Sequence, residues 1–179
     1  HWRPINQATL AYGYGVSVTP LQLAQAYSVL GSDGVFRPIS LVALDSSPEG
    51  EQVMAAESAA AVRRMLEEVV RPGGTGTKAS ITGYRIAGKT GTAWKSGPGG
   101  YSQDKYLSIF AGLAPASEPR LAAVVMIDEP RGELYYGSDV AAPVFSEIMT
   151  EALRLLAIPP DALPARDAGS VIQAMAGQQ

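Results

Sequence analysis

Apolar positions recur along this chain first with the 3.6-residue period of a helix, then with the two-residue period of a strand, then helically again. Thr19-Pro20-Leu21-Gln22 opens the first helical stretch with an N-cap hydroxyl, a proline at the first helical position and a glutamine three residues after the cap. Leu23, Ala24, Tyr27 and Leu30 follow at helical spacing, so the pattern predicts a helix over 20–30, closed by Gly31 in the left-handed C-terminal position. Residues 35–44 mix β-branched, proline and apolar residues and predict an extended segment, and 45–50 read as turn. A second helix is predicted over 55–70, with Ala59, Val62, Leu66, Val69 and Val70 on one face, Arg63, Arg64, Glu67 and Glu68 on the other, and Pro72-Gly73-Gly74 as its stop. Three strands follow, over 84–95, 106–113 and 121–128, and their short Gly-, Pro- and Ser-rich connections favour an antiparallel meander. The last helix, over 140–156, is predicted to take Asp139 as its cap and to turn Val144, Ile148, Ala152 and Leu155 toward the sheet. The expected class is α/β of the α+β kind, an antiparallel sheet packed with helices. Residues 1–157 form its folded part, and 158–179 are expected to be a disordered tail, too poor in apolar bulk to offset the entropy of ordering.

With 179 residues, 46% of them hydrophobic and 17% charged, the chain is long and apolar enough to build one globular core. The longest apolar run, Leu121 to Ile127, is far short of the roughly 20 residues that span a bilayer, so any membrane anchor is expected outside this sequence. A net charge of -3 and no basic run give no electrostatic footprint for nucleic acid. There is no cysteine and the only histidine is His1, which excludes thiol nucleophiles, cysteine- or histidine-built zinc sites and a Ser-His-Asp triad. Acyl-transfer chemistry here would need lysine as its base; no cofactor and no metal are expected. Beginning with His rather than Met, and with no signal peptide, the sequence reads as a piece of a longer protein.

Two motifs compete for residues 83–92. Gly83 to Gly88-Lys89-Thr90 fits the spacing of a nucleotide-hydrolase phosphate loop, and Val124 to Glu129 looks like the metal-holding strand that accompanies one. A phosphate loop works because its lysine and threonine open a helix whose free N–H groups and dipole face the phosphates. After Thr90 come Gly-Thr-Ala-Trp-Lys-Ser-Gly-Pro-Gly-Gly, turn formers and β-branched residues where the first helical turns should be, so a nucleotide hydrolase is retained only as a minor alternative. Taken as a strand, Lys89 and Gly91 project to one face and Thr90 and Thr92 to the other, and glycine lets a ligand backbone approach the edge. An ammonium and hydroxyls so clustered can hold a carboxylate by charge-assisted hydrogen bonds. Taken alone, the same four residues are equally an ordinary exposed strand with a solvated lysine.

Ala87-Gly88-Lys89-Thr90-Gly91-Thr92-Ala93 resembles the Lys-Thr-Gly motif of penicillin-binding proteins and serine β-lactamases. Tyr12 to Tyr27, Leu30 to Gly34, Val70 to Ala79 and Phe110 to Pro115 resemble the flanking segments of class B penicillin-binding proteins of the division type. The similarity runs from about residue 8 to 156. It implies the C-terminal half of a penicillin-binding transpeptidase domain, in which Lys89, Thr90 and Thr92 bind the terminal carboxylate of a D-Ala-D-Ala stem peptide, or of a β-lactam that mimics it, and Gly91 is a further substrate-binding position. It also implies that the Thr92 N–H supplies half of an oxyanion hole. Tyr106 and the pair Tyr135-Tyr136 before Gly137 fall where relatives place pocket-lining aromatics, with core or loop packing an equal alternative. Trp94 departs from the basic or polar residue usual after the motif, which puts local ligand preference in doubt.

The resemblance also defines what this sequence does not contain. The family nucleophile lies in a Ser-x-x-Lys motif at the start of a helix, and a Ser-x-Asn motif follows it. The only asparagine, Asn6, has Pro4 two residues earlier, and Ser102-Gln-Asp-Lys105 lies after the Lys-Thr-Gly strand in a glycine-rich stretch with no helix to bring lysine to serine. The nucleophile is therefore expected in an upstream half of the domain, the chain alone is expected to be inactive, and the whole protein is implied to cross-link peptidoglycan by acyl transfer. Implied partners are that upstream half, the stem peptide, β-lactams and divisome membrane proteins. The implied location is the periplasmic face of the bacterial inner membrane. A noncatalytic peptidoglycan-binding module, a β-lactamase and a carboxypeptidase share the strand and remain alternatives.

Overall fold

The computed structural model describes residues 3–11, 13, 15–97 and 100–162. Helices α1 (Pro4–Ala11) and α2 (Pro20–Gly31) come first, then a minimal antiparallel pair of β1 (Val35–Phe36) and β2 (Glu51–Gln52), then α3 (Ala56–Glu68). A 3-10 turn at Thr77–Ala79 leads into β3 (Ala87–Gly97), β4 (Gly100–Ala114) and β5 (Leu121–Asp128), and α4 (Gly137–Leu155) closes the order. The three long strands form one antiparallel sheet in the order β3-β4-β5, as the meander reading expects.

Register sorts the side chains onto two faces. Thr90, Phe110 and Val125 share one face, and Phe110 meets Phe145 of α4 with ring centroids 4.7 Å apart. Ala87, Leu113 and Ala122 share the other, where Tyr27 and Leu30 of α2 and Leu66 of α3 pack on them. The α2 entry is as the sequence predicts: the Gln22 amide donates to Thr19 Oγ1 at 3.2 Å and the Thr19 amide donates to Gln22 Oε1 at 2.9 Å.

Several expectations are corrected by packing. Gly31 is the last residue of α2, with no left-handed twist; a Cβ there would stand 3.1 Å from Pro119 and 3.3 Å from Leu113, and the left-handed glycine is Gly34. The cap of α4 is Tyr136, while Asp139 sits in the first turn and is ion-paired with Lys78 at 2.8 Å. The buried face of α4 is Ala141, Ala142, Phe145, Met149 and Leu153, and the predicted Ile148 and Leu155 are exposed. Glu67, expected outward, is buried because Arg85 grips its carboxylate with two hydrogen bonds of 2.9 and 2.8 Å. Of the extended segment 35–44 only β1 pairs as a strand. Folded structure also passes the expected boundary at 157. Ile158 joins the core and accepts a hydrogen bond from the Tyr84 hydroxyl, and the Asp161 carboxylate accepts from the amides of Arg85 and Ser117 at 2.7 and 3.1 Å. Residues 163–179 of the expected tail lie outside those described.

Candidate functional site

Strand β3 is a sheet edge, paired only with β4 among the described residues, so alternate backbone groups along it face outward. Its shape is dictated by Phe110, which stands opposite Thr90. A Cβ on Gly88 would come within 2.6 Å of the Phe110 ring and 2.9 Å of the Ala111 carbonyl oxygen, so that glycine is required for packing. Residues 88–90 lie in this strand, and no helix opens there, which removes the phosphate-loop alternative. Gly91 differs: a Cβ there would meet only Ile109, at 3.6 Å, leaving the space above it open.

The charge at this edge is unusual for the molecule. Of the four lysines, Lys78 is paired with Asp139, Lys95 with Asp128 and Glu129, and Lys105 with Glu129. Lys89, exposed, has no carboxylate partner among the described residues; its Nζ donates to the Thr90 carbonyl oxygen at 2.9 Å and lies 3.5 Å from Thr90 Oγ1. Thr90 Oγ1 also shares a hydrogen bond of 3.2 Å with Thr75 Oγ1. Thr92 Oγ1 accepts from the Gly137 amide at 3.0 Å, which seats the first residue of α4 against the strand. That approach needs glycine, since a Cβ on Gly137 would stand 2.4 Å from the Ile109 carbonyl oxygen and 2.5 Å from that of Gly91. An uncompensated ammonium, two threonine hydroxyls and the positive end of a long helix thus meet along one edge, an arrangement suited to an anion.

Beside it lies an aromatic recess. Tyr106 and Tyr135 stack with centroids 4.1 Å apart and planes inclined by 18°, and the Tyr136 ring lies 4.4 Å from that of Tyr135. The Tyr135 hydroxyl donates to that of Tyr136 at 3.1 Å, and loss of that bond on ionisation is the main reason its pKa is pushed up to about 12. Ser108, fully buried, fixes this group by donating to the Tyr135 carbonyl. With Thr92 and the half-exposed Trp94, which stands opposite Tyr106, the three tyrosines line a cavity of about 190 Å³. The predicted residues thus fall in two adjoining groups along β3, with Lys89, Thr90 and Gly91 on the strand edge and Tyr106, Tyr135 and Tyr136 around the recess, and with Thr92, bonded to Gly137, between them.

Ser102 and Lys105 both lie in β4, inside the irregular stretch where residues 102–105 stand opposite Lys95 alone, and no helix joins them. Ser102 Oγ donates to Asp104 at 2.7 Å and Lys105 lies 3.5 Å from Glu129, so neither activates the other. Among the described residues no group of three or more potential metal ligands is present.

Comparison with known proteins decides what this edge belongs to. Residues 1–150 match the penicillin binding protein transpeptidase domain family. The chain belongs to that family. It is 50% identical over 166 residues to the peptidoglycan D,D-transpeptidase FtsI of Escherichia coli strain K12, covering 93% of this chain and 28% of that protein. It is 43% identical over 159 residues to the probable peptidoglycan D,D-transpeptidase PenA of Neisseria meningitidis strain MC58, covering 89% of this chain and 27% of that protein. The apo structure of the transpeptidase domain of Burkholderia pseudomallei penicillin-binding protein 3 superposes with a TM-score of 0.83 at 44% identity, covering 91% of this chain and 50% of that one. The chain thus spans under a third of these two relatives and half of that solved domain. Sequence reasoning missed Thr75 and Ser108; the only signals are a threonine between glycines and a serine inside the apolar run 107–111.

Proposed function

We propose that this chain is the substrate-binding half of a peptidoglycan D,D-transpeptidase that cross-links stem peptides through a serine acyl-enzyme. One observation supports the reading above others: on a strand edge of a penicillin-binding transpeptidase domain, Lys89 is the lysine left without a carboxylate partner among the described residues, beside the Thr90 hydroxyl. Lys89, Thr90 and Thr92 then hold the terminal carboxylate of a D-Ala-D-Ala peptide or of a β-lactam. Gly91 admits the ligand backbone, the Thr92 N–H serves as half of the oxyanion hole, and Tyr106, Tyr135 and Tyr136 line the pocket. The serine of the upstream half attacks the penultimate D-Ala carbonyl, and the departing D-Ala takes up the serine proton through a neighbouring base. An amine of a second stem peptide then resolves the acyl-enzyme and regenerates the serine hydroxyl. Met126 is 42% exposed, and Leu107, Ile109 and Val124 are half-buried on the face that α2 and α3 only partly cover. That apolar patch is where the upstream half is proposed to pack. Membrane anchoring upstream, a place on the periplasmic face of the inner membrane and divisome partners belong to the same reading.

The test is to incubate the purified chain with a fluorescent penicillin, alone and with the upstream fragment, and to look by mass for a denaturation-resistant adduct. No adduct on the lone chain and labelling of the upstream fragment in the mixture are the expected results. Labelling at Ser102 of the lone chain overturns the assignment, and an unlabelled but peptidoglycan-binding mixture favours a noncatalytic module.

A further inference from the structure

The glycine-rich segment after α3 ends beside the anion edge, and its conformation is set by contacts that leave little choice. A Cβ on Gly74 would stand 2.2 Å from the Val69 carbonyl oxygen, and the Gly76 amide donates to that same oxygen at 2.7 Å. A Cβ on Gly76 would stand 2.9 Å from the Phe110 ring, the same ring that excludes a side chain at Gly88. The residue held between these two crowded glycines is Thr75. It is exposed, and its Oγ1 makes one side-chain hydrogen bond in the described structure, at 3.2 Å to Thr90 Oγ1.

We infer that Thr75 is a positioning residue that orients the Thr90 hydroxyl toward a bound carboxylate, an inference that rests on the proposed carboxylate site. An ammonium can only donate, so the Lys89 Nζ beside Thr90 Oγ1 occupies one lone pair of that oxygen. When Thr75 donates to the other lone pair, the single Thr90 proton is left for the ligand; when Thr90 donates to Thr75, the ligand loses it. A bound carboxylate selects the first arrangement. Thr75 thereby acts through Thr90 without touching the ligand, and its value lies in holding the rotor before the ligand arrives.

The experiment compares Thr75→Val and Thr75→Ser with the parent in the chain joined to its upstream half, by second-order acylation with a penicillin and with its methyl ester. Valine keeps the β-branched shape and removes the hydroxyl. Loss of one neutral hydrogen bond corresponds to about three- to tenfold slower acylation by the free acid. The expected loss falls on formation of the initial complex rather than on the acylation step. Serine should restore the rate, and the ester, lacking the charge, should react with the valine variant and the parent alike. Equal losses for acid and ester, no rescue by serine, or no loss at all would overturn the inference. Lys89→Ala, run in parallel, separates the two readings. A normal rate there removes the carboxylate site itself, whereas a defect there beside an unaffected Thr75→Val removes only the role of Thr75.

Discussion

The two ends of β3 each present a lysine, and the contrast between them lies in the charges that surround each one. At the far end Lys95 lies 2.8 Å from both Asp128 and Glu129, and Lys105 adds a second contact to Glu129. These pairs raise the Lys95 pKa, chiefly through the hydrogen bond to Asp128, and lower that of Glu129, chiefly through the hydrogen bond to Lys95. That end is electrostatically complete and serves to close the β3–β4 hairpin against the end of β5. At the near end the Lys89 ammonium meets the two oxygens of Thr90 and, among the described residues, no carboxylate. The same side chain is a fastener where it is half-buried among carboxylates and is left exposed, as the proposed receptor, where they are missing.

The strongest test removes the support beneath the near end. Phe110→Ala deletes the ring that packs on Phe145 and crowds Gly76 and Gly88, and is expected to cost about 3–5 kcal/mol of stability by denaturant unfolding of the reassembled domain. A loss below about 1 kcal/mol would show that the sheet does not depend on it. Next comes Lys89→Ala, which should slow acylation by a carboxylate-bearing β-lactam about 10- to 100-fold, the worth of one charged hydrogen bond, without moving the melting temperature. Unchanged rates would make Lys89 a surface charge like any other. Acid should separate the ends without mutation. Because the Glu129 carboxyl is held below its ordinary value of 4.5, the clip it forms with Lys95 is intact above that pH and lost as pH falls through the lowered value. Amide exchange is expected to quicken there in residues 95–105, once corrected for intrinsic rates, and to stay level at 88–92. The smallest effect is expected for Lys95→Ala, with acylation and melting unchanged and faster hairpin exchange at neutral pH; slower acylation would erase the distinction between the two lysines.

Much of this contrast is legible in the sequence, for physical reasons that vary by element. The capping box at Thr19 and Gln22 and the apolar run of β5 are local signals, and both are found where the sequence puts them. The site residues on β3 follow from a short motif read as strand rather than helix, because what comes after Thr90 cannot begin a helix. The face of α4 is misread because Ile148 and Leu155 are the larger residues, yet the sheet takes up the side that carries small Ala141 and Ala142 beside Phe145. Glu67 is misread because only Arg85, eighteen positions away in sequence, makes its burial tolerable. Thr75 is marked in the sequence by nothing more than its place between two glycines, since its contact with Thr90 depends on where the loop returns.

The ring of Phe110 touches the space that side chains would occupy at Gly76, Gly88 and Gly112. For a population of variants this ties the four positions together: a larger residue at any of these glycines meets the ring, with Phe145 added at Gly112 and the Ala111 carbonyl at Gly88, and a smaller ring leaves space beside all three. Sequence change that retunes ligand preference therefore has little room beneath the strand. It has more at Trp94 and Tyr136, which are 49% and 52% exposed and answer to no such constraint. The route to altered recognition in this molecule runs along the rim of the recess rather than through its floor.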